Sequence, residues 1–267
     1  MKNSKLSVLV ALLIMVLLAL PGCASKYGSP RTKVNFYPQC YQPVQQLRDD
    51  ENYVAKSTAA GAVGGALLGA LIGGLTTGKV EGALAGAAIG GVAGGVAGHA
   101  YGKNQQAARD RQLVQAYSEQ LGFEASGMAR STAAARVAQQ CYDREFDQAK
   151  RDFKARRITK AQFQERYAEI RSGLQEVSFI LTERYDTMAK KDVEYEQALA
   201  KDPALRAHVQ GTSSTGKRRS STASSAKPRN RWQSSHREMA AQRDRINNDV
   251  DAKDREIAAL VADTQHT

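Results

Sequence analysis

Three cysteines hold the most reactive side chains of this chain, and their positions set the chemistry to look for. Cys23 directly follows Leu20-Pro21-Gly22 at the exit of an apolar run, while Cys40 and Cys141 lie far apart in the remainder. The four histidines, His99, His208, His236 and His266, are scattered and none lies near a cysteine at zinc-ligand spacing, so no metal site is read. Gly73 to Lys79 reads GGLTTGK and satisfies the first part of a phosphate-binding loop. Val80 stands where the Mg²⁺-binding Ser or Thr belongs, however, and no strand pattern precedes it. No Gly-x-Ser-x-Gly elbow occurs, and the carboxylates fall on charged helix faces. The expectation is a non-enzyme with no small-molecule substrate.

The first residues decide the compartment. Lys2 and Lys5 form a short positive region, Leu6 to Leu20 is an almost unbroken apolar run, and a small-residue exit follows. The run is too short to span a bilayer comfortably, so it reads as a secretory signal. Leu-Pro-Gly-Cys resembles the lipobox of bacterial lipoproteins. That resemblance implies cleavage before Cys23, lipid on its sulfur and acylation of its new amino group, so no cofactor is expected beyond this covalent lipid. An ordinary signal peptide that contains a cysteine is the alternative. The same resemblance implies, since Ala24 rather than Asp follows the cysteine, delivery to the outer membrane with the carboxy-terminal region in the periplasm.

In an oxidising compartment the remaining even pair, Cys40 and Cys141, invites a disulfide; two separate buried thiols are the other reading. The net charge of +11 would raise nucleic acid as a partner in a cytosolic protein. In the envelope it faces other anions: lipopolysaccharide phosphates, anionic lipids, peptidoglycan carboxylates and acidic protein faces.

Among the elements around these residues, the segment from Ser57 to Lys103 dominates. Gly61, Gly65, Gly69 and Gly73 form one run at a spacing of four, and Gly78, Gly82, Gly86, Gly90, Gly94, Gly98 and Gly102 form a second. Such a period lays a flat glycine stripe along one helix face. In water each interior glycine costs about 1 kcal/mol relative to Ala. In a bilayer a helix satisfies its own backbone, and small-xxx-small stripes let two helices approach closely. Each block is about 20 residues, enough for a hydrocarbon core. A two-helix membrane hairpin turning at Thr76 to Glu81 is therefore expected, with membrane lipid as its surroundings and other copies of the chain as its packing partners. A flexible glycine-rich linker is the rival reading.

The flanking regions differ in character. Residues 23–56 carry Pro30, Pro38 and Pro43 and suggest an extended, lipidated tether with a sticky patch from Asn35 to Tyr41. Asn104 to Leu121 favours helix, Gly122 and Gly127 weaken it, and Ala129 to Lys154 resumes it. Ile158-Thr159-Lys160-Ala161-Gln162-Phe163 spells a capping box with a hydrophobic staple. The next helix carries a sustained strip, Phe163, Tyr167, Ile170, Leu174, Val177, Leu181, Met188 and Tyr195, to its end at Asp202-Pro203. Arg184 and Lys191 interrupt that strip and suggest a looser distal end. An antiparallel helical hairpin with coiled-coil-like packing is expected. Residues 211–230 read as a disordered basic Ser-rich linker. Residues 231–267 read as a charged helix whose seam, Met239, Ile246, Val250, Ile257 and Leu260, is too thin for a core.

Lipobox and double zipper together resemble the glycine-zipper two-transmembrane lipoproteins of Gram-negative bacteria, the group that includes the rickettsial 17 kDa surface antigen and SlyB-like proteins. The likeness covers the signal, Cys23 and Ala59 to Gly102, and implies a role in envelope integrity through zipper-mediated oligomers. The plan is all-α: signal 1–22, tether 23–56, membrane hairpin 57–103, periplasmic helices 104–210, linker 211–230 and final helix 231–267. A structural outer-membrane lipoprotein is the first functional expectation. An adaptor lipoprotein of a secretion or envelope-spanning machine, such as a type VI secretion-associated lipoprotein, is the second, with an envelope protein gripping the long helices. A zipper pore is a third, weaker expectation.

Overall fold

The computed structural model describes residues 26–50, 103–210 and 222–263. The chain divides into two units, Met1–Pro30 and Arg31–Thr267. In the first, the described residues form a turn with Gly28 at φ 67°, a left-handed conformation that favours glycine. The expected signal, Cys23 and the glycine-zipper hairpin lie outside the described residues, apart from Lys103.

The second unit is helical throughout its described elements: α1 (Pro38–Asp49), α2 (Lys103–Lys154), α3 (Lys160–Lys201), α4 (Pro203–Gln210) and α5 (Thr222–Asp263). Among the described residues no helix is long and apolar enough to cross a membrane. α2 and α3 run antiparallel around the turn at Ala155 to Thr159. The capping box is present: Gln162 N donates to Thr159 Oγ1 at 3.2 Å, and Thr159 N donates to Gln162 Oε1 at 2.9 Å. Phe163 of α3 lies flat on Phe153 of α2, with ring centroids 4.8 Å apart. The whole expected strip on α3, from Phe163 to Tyr195, is buried.

Four sequence expectations change. First, the hairpin has a third long partner. α5 packs along both α2 and α3, and it runs parallel to α2, since Glu124 meets Trp232, Asp143 meets Lys253 and Lys150 meets Glu256. Its seam is a core face after all, because Trp232 and Gln242 join Met239, Ile246 and Val250 in burial. Aliphatic counting misses an indole and an amide that complete the stripe.

Second, the helix begins at Thr222, so the basic linker and final helix do not divide at residue 231. Arg229 explains the extension: its side chain is 6% exposed between Asp192 and Glu196 of α3. Third, the tether is not extended from end to end, because α1 forms despite its prolines. Pro38 occupies the first turn, where no N–H is needed, and Pro43 removes only one ladder bond. Burial of Cys40, Tyr41, Val44 and Leu47 on one face supplies what the backbone loses.

Fourth, α2 runs through Gly122 and Gly127 without a break. A penalty of about 1 kcal/mol per glycine is smaller than the burial of Leu121, Ala125 and Met128 around them.

Gly173 of α3 is a different case. A Cβ there would lie 2.3 Å from Tyr142 Oη, 2.4 Å from Cζ and 2.6 Å from Cε2. Tyr142 is fully buried, so its stiff ring cannot swing into solvent. Overpacking then outweighs the helix gain, and Gly173→Ala is expected to cost ~2 kcal/mol in a urea titration. Gly122→Ala serves as the control, because its Cβ would meet nothing within 4 Å. That substitution should add ~1 kcal/mol.

Candidate functional site

The built feature of this chain is the attachment of residues 31–50 to the bundle, and it rests on three charged side chains of α3. Glu169, Glu176 and Arg184 follow at intervals of seven and eight, which puts them on one flank of the helix beside its apolar strip. Glu169 sits below the start of α1. It accepts from Asn35 N at 2.9 Å, Phe36 N at 2.7 Å and Tyr37 N at 2.8 Å. Tyr37, the N-cap of α1, makes no side-chain cap of its own. A carboxylate from a neighbouring helix therefore supplies the negative charge that the α1 N-terminus favours.

One heptad on, Glu176 is fully buried and saturated with donors. Its Oε2 accepts from Arg31 N at 3.1 Å, Thr32 N at 2.9 Å and Thr32 Oγ1 at 2.7 Å. Its Oε1 accepts from Tyr41 Oη at 3.2 Å and Arg48 Nη1 at 2.6 Å. The Arg31 guanidinium closes the segment from outside, 3.5 Å from the centre of the Phe179 ring. At the other end of α1, Arg184 donates to Leu47 O at 2.7 Å and also meets Ser131 Oγ, with Asp50 Oδ2 at 3.6 Å. α3 thus presents an anion to the N-terminus of α1 and a cation to its C-terminus, each matched to the helix dipole.

Cys40 and Cys141 are joined by a disulfide across 101 residues, tying α1 to α2 as the carboxylates tie it to α3. The loop closed by that bond contains residues 51–102, the entire glycine-zipper segment. Both flanks of the zipper therefore belong to one compact unit.

A second buried charge cluster locks the far ends of the helices. Glu124 of α2 accepts from Gln120 Nε2 and Trp232 Nε1, each at 2.8 Å, and pairs with Lys191 of α3. Tyr117, Tyr195 and Trp232 meet edge to face around it. Lys191 and Arg184 were expected to loosen the end of α3. They do the opposite, because each is paired with a group on another helix, which a one-helix pattern cannot display.

These environments shift the tyrosines. Burial, and then the Glu176 carboxylate, push Tyr41 up to about 12. Burial also pushes Tyr117 up to about 12. Both phenols have an ordinary value of 10.0, so the folded state prefers them neutral. Their contribution is complete below a pH of about 10 and is lost as pH rises through about 12. A steep alkaline unfolding inside that window is expected, with loss of far-ultraviolet ellipticity coinciding with the rise in phenolate absorbance.

As chemistry, the arrangement holds. Glu124, Glu169 and Glu176 spend their oxygens on hydrogen bonds. His236 stacks on Tyr185 at 4.2 Å and meets Tyr185 O at 3.2 Å, a packing role. Among the described residues no group of His, Cys, Asp and Glu could hold a metal ion. Of the residues singled out in the sequence, Cys40 and Cys141 come together. Cys23 and the zipper residues Gly61, Gly65, Gly69, Gly73, Gly78, Gly82, Gly86, Gly90, Gly94 and Gly98 lie outside the described residues. Glu169 and Glu176 gave no signal beyond two acids a heptad apart beside an apolar strip.

Residues 1–102 match the family described as the YMGG-like Gly-zipper, a match that includes α1 and ends one residue before α2. No curated protein and no solved structure matches the chain.

Proposed function

We propose that this chain is a non-enzymatic structural lipoprotein of the outer membrane. Lipid on Cys23 anchors it, residues 57–103 insert as a glycine-zipper hairpin that packs against other copies, and the helical bundle stands in the periplasm to support envelope integrity. The observation that carries this reading is the clamp. Glu169, Glu176, Arg184 and the Cys40–Cys141 bond hold residues 31–50 on the same body as α2, so the zipper leaves and re-enters the same support. Such a mounting suits a structural role, because it holds both flanks of the zipper on one compact unit.

Fractionation combined with crosslinking tests the proposal on the wild type, Cys23→Ser and a Gly69→Leu/Gly90→Leu double variant. The wild type should sediment with the outer membrane as crosslinked oligomers. Cys23→Ser should leave that fraction, and the double variant should stay in it as a monomer. Oligomers unchanged by the double variant would sink the zipper-packing claim.

A second reading has one observation in its favour: α2, α3, α4 and α5 all lie beyond the matched residues. An adaptor for an envelope-spanning machine would use that added bundle to grip a protein partner. Deleting residues 103–267 separates the two. A membrane-integrity phenotype that survives the deletion supports the structural role, and loss of one specific captured partner supports the adaptor.

A further inference from the structure

The clamp gives the bundle a direction. α1 rises from Glu169 to Arg184, parallel to α3, so Asp50 points the chain towards the end formed by Lys201, Thr222 and Lys103. Asp50, which precedes the zipper segment, stands beside Arg130 midway along α2, and Lys103, which follows the segment, lies at that end. At the opposite end lies the α2–α3 turn. Arg130, the partner of Asp50, precedes Ala155 by about 25 residues of helix, or ~37 Å.

That remote turn is strongly basic. Arg151, Lys154, Arg156, Arg157 and Lys160 surround it, against Asp152, which is engaged by Arg157 at 2.6 Å and faces Arg166 at 3.9 Å. Lys154 and Arg156 are exposed. The fold itself accounts for part of this charge, since Arg151 and Lys154 suit the C-terminus of α2. It does not account for the rest. Lys160 is the first residue of α3, whose first turn holds no acid, and a cation there opposes the helix dipole. Arg156 is the one non-glycine residue at positive φ among the described residues, at 56°, where Gly or Asn is the cheaper choice. Two cations therefore stand where folding alone disfavours them, on the tip furthest from the zipper's exits.

We propose that this turn is a docking surface for a carboxylate-bearing cell-wall polymer, the peptide stems of peptidoglycan, which it meets as the membrane-distal tip of the bundle. The proposal rests on the outer-membrane reading above. A lipid surface fits the tip less well, because the turn lies ~37 Å along α2 from Asp50 and a further 27 helical residues from Lys103. A periodic carboxylate polymer complements clustered, exposed cations.

The test is co-sedimentation of the full-length protein, in detergent micelles, with purified peptidoglycan sacculi at low and high salt. The variant is Lys154→Gln/Arg156→Gly/Lys160→Gln. Two of its changes relieve a dipole conflict and a left-handed backbone, so it should melt no lower than the wild type and a loss of binding cannot be traced to unfolding. Expected are salt-sensitive binding by the wild type and a loss of about tenfold in the variant, as for two exposed cations and one half-buried cation combined. Amidating the sacculus carboxylates should reduce wild-type binding equally. A Lys217→Ser/Arg218→Ser/Arg219→Ser variant should bind as the wild type does. Undiminished binding by the turn variant, undiminished binding to amidated sacculi, or sedimentation only with anionic-lipid vesicles would each overturn the proposal. Failure of the membrane reading registers separately, as wild-type protein absent from the outer-membrane fraction whatever the sacculi bind.

Discussion

Glu176→Ala should destabilise the bundle by ~4 kcal/mol, the range for breaking a buried ion pair from one side, and lower its melting temperature by roughly 10 °C. The side chain is fully buried beside Arg48, itself 7% exposed. Truncation leaves that guanidinium buried without its carboxylate, and takes the acceptor from Arg31 N, Thr32 N, Thr32 Oγ1 and Tyr41 Oη as well. Glu176→Gln keeps two acceptor lone pairs on one oxygen but places an NH₂ against at least two donors, so it should recover less than half of the loss. Limited proteolysis reports where the damage falls. Cleavage should appear first between residues 31 and 50, ahead of any site in α3, because the hydrogen bonds accepted by Glu176 are the ones that hold this segment down. Cleavage spread evenly over the bundle would show that Glu176 supports the core in general and not the strap.

Cys40→Ser should have an effect of comparable size. A bond between residues 101 apart restricts the unfolded chain strongly, and its removal is expected to cost ~5 kcal/mol by the chain-entropy account. The zipper tests that account. If residues 57–103 stay folded back on themselves in a membrane when the bundle unfolds, the free loop is about halved, and the bond contributes only ~0.6 kcal/mol less. Denaturant midpoints for wild type and Cys40→Ser in detergent should therefore differ by nearly the same amount in lipid vesicles. A disulfide contribution that disappears in vesicles would mean that the membrane segment, not the bond, fixes α1 on the bundle. Glu176→Ala combined with Cys40→Ser should exceed the sum of the single effects, since each tie otherwise keeps the donors of the other near their acceptors.

Particular residues mark how far the sequence reaches. The α3 strip was legible because eight apolar side chains keep a helical period over more than thirty residues, and the Thr159–Gln162 box was legible because its partners are three residues apart. Local period and local hydrogen bonds need no knowledge of what lies opposite. The glycine blocks and the Leu20-Pro21-Gly22-Cys23 exit are of the same kind, and both lie within the residues that match the glycine-zipper family. Pro38 and Pro43 misled, because their local cost was read without the buried face of α1 that outweighs it.

By itself the sequence determined an all-helical chain, the position and caps of α3, the glycine zipper and the candidate lipid attachment at Cys23. Each of these is written in neighbours within one turn or one strip. Only the tertiary structure decided that α5 is a core helix, that Arg184 and Lys191 fasten where they were expected to loosen, and that Glu169 and Glu176 strap residues 31–50 beside the Cys40–Cys141 bond. The reason is physical. A charge reads as solvent-facing until its partner is known, and here the partners stand on other segments, some of them more than 130 residues away in the chain.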